Sequence, residues 1–269
     1  MKGRVLIVAG SDSGGGAGIQ ADIKAVTALN AFAMTAVTAL TAQNTQGVHG
    51  VVGVDPAFIR QQMAVVLDDL GADAIKTGML HSVPVIAAVC DELAARARGI
   101  PLVVDPVMIA KGGHPLIAAD AIATLKARLL PIATVITPNL PEAEALVDRP
   151  IRTLAEMRGA VDALRSLGAP CVVLKGGHMD GDTLTDLLVT ADGSEEFTAP
   201  RIDTRHTHGT GCTLASAIAA GLAQGMAVRE AVVRARAYVQ AAIAAAPGYG
   251  AGHGPLDHAI TFDPARLPR

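Results

Sequence analysis

Short apolar runs of strand length alternate with stretches of helical periodicity along most of this chain, an order that few folds can accommodate. The runs RVLIVAG, FAMTAVTAL, DAIKTG, PLVVDP, ATVITPN and CVVLKGG are rich in Val, Ile, Leu and Ala, and most end in Gly, Asp, Pro or Asn. Amphipathic stretches lie between them, over residues 17–29, 56–70, 82–97, 118–129 and 153–167. Repeated strand–helix alternation predicts a mostly parallel sheet covered by helices on both faces. Composition agrees, with 51% hydrophobic residues, 2% aromatic residues and no Trp. Small and branched aliphatic side chains suit parallel strands buried under close-packed helices.

One segment departs from that order. In TLTDLLVTADGSEEFTAP two strand-like runs flank Ala-Asp-Gly, which predicts a β-hairpin extending one edge of the sheet in antiparallel fashion. Two Ala-rich helices follow, over 211–224 and 227–245, and then a Gly-rich tail. The chain shows no long linker, low-complexity segment or internal repeat, so residues 1–269 read as a single α/β domain.

The net charge of −3 gives no electrostatic case for nucleic acid or an anionic membrane as partner. No run approaches the roughly 18 apolar residues of a membrane span, and MKGRVLIVAG holds too short an apolar run for a secretory signal. A cytoplasmic protein is the expectation. Cys90, Cys171 and Cys212 are far apart and form no CxxC pair, so neither a disulfide framework nor a thiolate metal site is expected. Cys90 and Cys171 fall in apolar patterns and read as core. Cys212 stands apart, directly behind His-Gly-Thr-Gly.

Sheets of this kind bind ligands at the carboxyl ends of their strands. The less usual residues of the chain fall at those ends: Gly10-Ser11-Asp12, Asn44, Lys76, Asp105, Asn139 and Lys175. The loop GSDSGGGAGIQAD, residues 10–22, opens a helix and lets backbone approach a ligand closely. It is neither a dinucleotide fingerprint, since Ala21 stands where a third Gly is needed, nor a Walker A loop. Asp22 sets a carboxylate on the apolar face of that helix.

The second loop is His208-Gly209-Thr210-Gly211-Cys212, entering an Ala-rich helix. Small residues at a helix start gather N–H groups around one point and favour an anion, although they also suit a plain helix cap. Asp105 at a strand end is a candidate for Mg²⁺ bound through water, with Glu142 beside it or serving only the start of its own helix. Lys175 before two glycines can meet a phosphate as a point charge. Lys111-Gly112-Gly113 reads as a flap. His114, His178, His208 and His253 show no ligand spacing and read as polar loop residues.

Taken in order, GSDSGGGAGIQAD, TALTAQNTQGV, KTGML, DPVM, TPNLPEAE, KGGH, THGTGC and GHGPLDH resemble the hydroxymethylpyrimidine and phosphomethylpyrimidine kinases of thiamin biosynthesis, in the ribokinase superfamily. The matches run from residue 10 to residue 258. The resemblance implies a ribokinase-like three-layer α/β/α sandwich without a lid domain, ATP and Mg²⁺ as cofactors, a small pyrimidine as substrate, and a homodimer. By this resemblance Gln43 hydrogen-bonds the aminopyrimidine, while Asp22, Met79, Val107 and Gly10 line the ring pocket. Gly209, Thr210 and Gly211 form an anion hole, Lys175 and Asn139 serve ATP, and Asp105 and Glu142 position the metal. Cys212 stands where many ribokinase-like enzymes carry an aspartate base. Two positions depart from the family pattern: His206 replaces an expected Asn and Thr77 a commonly apolar residue. The rival readings are a pyridoxine or pyridoxal kinase, against which Gln43 argues, and a non-catalytic pyrimidine sensor, which would have no use for phosphate-binding residues.

Overall fold

The computed structural model describes residues 2–109 and 116–262. The chain runs β1 (Arg4–Asp12), α1 (Gly18–Ala28), β2 (Phe32–Asn44), β3 (Gly47–Gly53), α2 (Pro56–Asp69), β4 (Ala74–Thr77), α3 (Val83–Arg96), β5 (Leu102–Val104) and α4 (Ala119–Thr124). It continues through β6 (Val135–Ile136), α5 (Leu140–Val147), α6 (Leu154–Arg165), β7 (Cys171–Leu174), β8 (Thr183–Thr190), β9 (Gly193–Pro200), α7 (Thr210–Ala223) and α8 (Val228–Ala244). These strands make one sheet, ordered β3-β2-β1-β4-β5-β6-β7-β8-β9.

Period-two patterning explains why both faces are covered. Leu6 and Val8 of β1 point into one apolar layer, with Ile59 and Met63 of α2, Val89 of α3 and Leu164 of α6. Val5, Ile7 and Ala9 point into the other, with Val26 of α1, Ile218 of α7 and Val239 of α8. Full burial of a Val, Leu or Ile side chain contributes about 1.5–3 kcal/mol, so a strand apolar on both faces holds its register firmly.

The six strands from β2 to β7 pair in parallel, and the β8–β9 hairpin is antiparallel as the sequence predicts. The opposite edge differs from the expectation. β2 runs past FAMTAVTAL to Asn44 and turns back as β3, so both edges of the sheet are antiparallel. The cause is local: Asn44 Oδ1 accepts the N–H groups of Gln46 (2.9 Å) and Gly47 (3.2 Å), which closes the turn. Asn44 is thus a turn residue and does not border the site. Helical periodicity over 118–129 also resolves differently: α4 ends at Thr124 and a wider π-type turn carries the chain over Leu125–Leu129.

The sheet sets the place of the site. Strand order reverses across β1, with β2 on one side and β4 on the other, and such a switch point opens a crevice at the carboxyl ends. A register shift between Ala9 and Ser11 re-aims the end of β1 toward that crevice.

Candidate active site

Two glycine turns meet at the floor of the crevice. Gly209 precedes α7 with φ +81°, and a Cβ there would fall 1.8 Å from the carbonyl oxygen of Gly16. A Cβ on Gly16 would in turn meet the His208 ring at 2.5 Å. The loop before α7 therefore lies directly on the loop after β1, and only glycine permits that contact at either position. The first turn of α7, with Thr210, Gly211 and Cys212, opens into a cavity of about 970 Å³. The N–H groups of a first helical turn have no partner within the helix and favour negative charge.

Facing this turn is a cluster of charges from three other strand ends. Lys175, after β7, reaches Asp105 Oδ1 at 3.1 Å and Glu142 Oε2 at 3.9 Å. Thr137 donates to the same Asp105 oxygen at 3.1 Å. A Cβ on Gly211 would stand 3.1 Å from Lys175 Nζ, so the ammonium lies against the backbone of the helix start. Burial opposes the Lys175 charge, but Asp105 and Glu142 outweigh it and raise its pKa. Burial pushes the Glu142 carboxyl up to about 7, with Asp105 adding to the rise and Lys175 working against it. Glu142 also serves its own helix. Its Oε2 accepts Asn139 N–H at 2.8 Å, while Asn139 Oδ1 accepts Glu142 N–H at 2.9 Å, a reciprocal cap on α5. The same cap fixes the carboxylate at the cavity wall.

Asp22 corrects an expectation. It does not line the cavity: it is wholly buried beneath it, with both carboxylate oxygens 2.9 Å from Lys76 Nζ and Ser216 Oγ donating at 2.7 Å. A carboxylate on the apolar face of α1 is there to meet a lysine from β4. Burial works against the Lys76 charge, yet Asp22, with Cys212 and Asp105 behind it, holds that pKa above its ordinary value. Lys76 itself borders the cavity. Cys212 lies close enough to this pair to feel it electrostatically, but burial dominates and pushes the thiol up to about 12. A helix start that lowers a thiol pKa is outweighed here.

The remaining predicted residues come together. Gly10, Gln43, Met79, Val107 and Asn139 all border the cavity. A Cβ on Gly10 would meet Met79 Sδ at 3.1 Å, so the glycine lets the Met79 side chain lie flat over the end of β1. His208 is more than a polar loop residue. It is buried, its Nε2 stands 3.0 Å from Asp12 Oδ2, and it reaches the Gln43 amide at 3.2 Å. Its signal in the sequence was present, inside THGTGC, but its partners lie far away along the chain. His178 and His253 also border the cavity. Cys90 is core as expected, whereas Cys171 is half-buried at the rim of the second apolar layer. His206 does not border the cavity, and Thr77 is buried behind it. Lys111, Gly112, Gly113 and His114 lie outside the described residues.

The family model described as phosphomethylpyrimidine kinase matches residues 12–257. The chain is 50% identical to the thiamine biosynthesis bifunctional protein ThiED of Geobacter sulfurreducens over 98% of its own length, and it spans 54% of that longer protein. It is 46% identical to the hydroxymethylpyrimidine/phosphomethylpyrimidine kinase of Bacillus subtilis, covering 95% of this chain and 94% of that one. Among solved structures, the ADP complex of Bacillus subtilis pyridoxal kinase superposes with a TM-score of 0.89 at 37% identity, covering 96% of this chain and 98% of that one.

Proposed function

The chain belongs to the phosphomethylpyrimidine kinase family, and on that premise we propose that it phosphorylates 4-amino-5-hydroxymethyl-2-methylpyrimidine with ATP, and then the resulting monophosphate, in thiamin biosynthesis. The observation that carries this reading is one cavity lined by two unlike sets of groups. Gln43 brings a carboxamide to it, with Gly10 and Met79 also lining it, and Lys175 abuts the glycine-lined start of α7. A carboxamide suits a ring nitrogen beside an exocyclic amine, whereas a lysine at a helix N-terminus suits a phosphoryl group.

In this reading Gly209, Thr210 and Gly211 meet the transferring phosphoryl oxygens with backbone N–H groups. Their preorganisation stabilises charge that grows in the transition state. Lys175 exchanges Asp105 and Glu142 for ATP phosphates, which frees two buried carboxylates at the same wall. Two carboxylates plus phosphate oxygens and water are a donor set that suits Mg²⁺, a hard cation that keeps several waters. Bound there, the ion would neutralise charge on the phosphates. Met79 and Val107 hold the ring by apolar contact, and Asn139 lies on the nucleotide side. The chain acts as a single domain, in the cytoplasm, and as a homodimer. Leu40, Val51 and Val52, exposed on the β2–β3 edge, offer an apolar surface for a second copy.

The test is ADP release followed in a coupled assay, with hydroxymethylpyrimidine, its monophosphate and pyridoxine in parallel. Turnover of both pyrimidines well above pyridoxine is expected. Preference for pyridoxine would overturn the substrate, and ADP release with none of the three would overturn the kinase.

A further inference from the structure

The Asp12 carboxylate is held as an acceptor at the end of β1. Gly14 N–H donates to its Oδ1 at 2.8 Å, and Gly16 and Ala17 N–H donate to Oδ2 at 3.0 and 2.8 Å. Burial raises its pKa, but His208 and these N–H groups outweigh burial and bring it below the ordinary value. An ionised carboxylate only accepts hydrogen bonds. His208 Nε2, 3.0 Å from Oδ2, therefore carries a hydrogen.

That same Nε2 lies 3.2 Å from one end of the Gln43 amide, and the other end lies 3.2 Å from Thr41 Oγ1. The Thr41 hydroxyl gives its own hydrogen to the Ser11 carbonyl at 2.9 Å, so it faces Gln43 with a lone pair. The amide nitrogen is placed toward His208, where N–H meets N–H. Exchanging the two ends of the amide keeps both distances and relieves this: the carbonyl then shares the Nε2 hydrogen with Asp12 Oδ2, and the NH₂ donates to Thr41. The environment thus admits one orientation and opposes the other.

A carboxamide has two N–H donors and two acceptor lone pairs. His208 takes one lone pair and Thr41 one N–H, which leaves one of each, and Gln43 borders the cavity. We propose that His208, held by Asp12, is a positioning residue that fixes the Gln43 amide and so makes the site selective for a ring nitrogen beside an amine over a ring N–H beside a carbonyl. The proposal rests on the reading of Gln43 as the group that meets the pyrimidine edge. A 4-oxo ring seated in the same pose would need the amide reversed, and the reversed amide conflicts with His208 and with Thr41. The fit is built into the backbone, since residue 16 has no room for a side chain under the His208 ring.

The test measures dissociation constants by calorimetry for two rings that cannot react, 4-amino-2,5-dimethylpyrimidine and its 4-oxo counterpart. Wild type should prefer the amino ring. His208→Phe removes the N–H, and Thr41→Val removes the lone pair with little change of shape. Each variant should lower the amino/oxo preference by about tenfold, the order of one hydrogen bond. In a Gln43→Met background neither substitution should change the preference further. If His208→Phe does not fold, Thr41→Val still decides. An unchanged preference in the variants, with both rings weakened equally, would overturn the positioning role and leave His208 to packing. A Gln43→Met protein that keeps the wild-type preference would instead overturn the reading of Gln43, and the proposal with it.

Discussion

Lys76 Nζ stands 2.9 Å from each carboxylate oxygen of Asp22, and neither side chain reaches solvent. The pair joins β4 to α1, and Ser216 adds α7 through its hydrogen bond to Asp22. Removing one partner leaves the other charged and unpaired, which costs about 3–5 kcal/mol, whereas removing both costs far less. Lys76→Met and Asp22→Leu should each destabilise the protein on that scale, and the double variant should recover much of the loss. Urea unfolding of the four proteins measures the coupling. Additive losses would show that the two groups do not depend on one another.

Thr77 lies beside Lys76 in β4 and is fully buried, and its Oγ1 has no hydrogen-bond partner among the described residues. A buried hydroxyl without a partner costs about 1–3 kcal/mol, and a methyl of the same shape does not. Thr77→Val is expected to stabilise the protein by about 1 kcal/mol, read as a higher urea midpoint at unchanged slope. A lower midpoint would mean that the hydroxyl is hydrogen-bonded.

Lys175 lies against Gly211 at the proposed phosphate site, and two substitutions probe them differently. Lys175→Ala removes a charge, and Gly211→Val inserts a side chain where even a Cβ would stand 3.1 Å from the ammonium. Each should lower kcat by on the order of 10²–10³, with a smaller effect on pyrimidine affinity, since Gln43 is the group read as meeting the pyrimidine. Near-normal turnover in both would move the phosphates elsewhere.

What the sequence disclosed follows from the range of the interactions involved. The parallel core strands were legible because their own apolar runs mark them, and the candidate site followed from the polar residues at their ends, Asn44 excepted. β3 was not legible, because Val51 and Val52 are exposed on it and no burial pattern sets it apart. The turn that makes it is signalled only by Asn44. Asp22 was recognised as out of place on an apolar helix face, but its partner lies 54 positions away on β4. His208 meets Asp12 across 196 positions, so THGTGC marks the residue but not its partner. Proximity of that kind is created by the sheet and cannot be read from spacing.

Cys212 is the residue expected to separate the two proposed phosphorylation steps. Its thiol sits in the first turn of α7 and feels the buried Lys76–Asp22 pair electrostatically. Burial raises its pKa to about 12, against the pull of Lys76. The free enzyme therefore carries a thiol at neutral pH, and its alkylation by iodoacetamide should be slow at pH 7 and climb about tenfold per pH unit as the thiolate forms. Lys76→Met removes the cation that favours the thiolate and should slow alkylation further at any given pH. In the first step the acceptor is an alcohol, which must lose a proton as it attacks, and a positioned base assists such a step by about 10²–10⁴. A phosphoryl transfer with a loose transition state draws less on that assistance, because the proton leaves late, and a thiol that must first be deprotonated supplies less of it. In the second step the acceptor is a phosphate already ionised at neutral pH, and no base is required. Cys212→Ala should therefore slow phosphorylation of hydroxymethylpyrimidine by on the order of 10² and phosphorylation of its monophosphate much less. Single-turnover rates with each acceptor at saturation make the comparison. Equal slowing of both steps would assign Cys212 to the shape of the anion hole, and no slowing of either would assign it to packing.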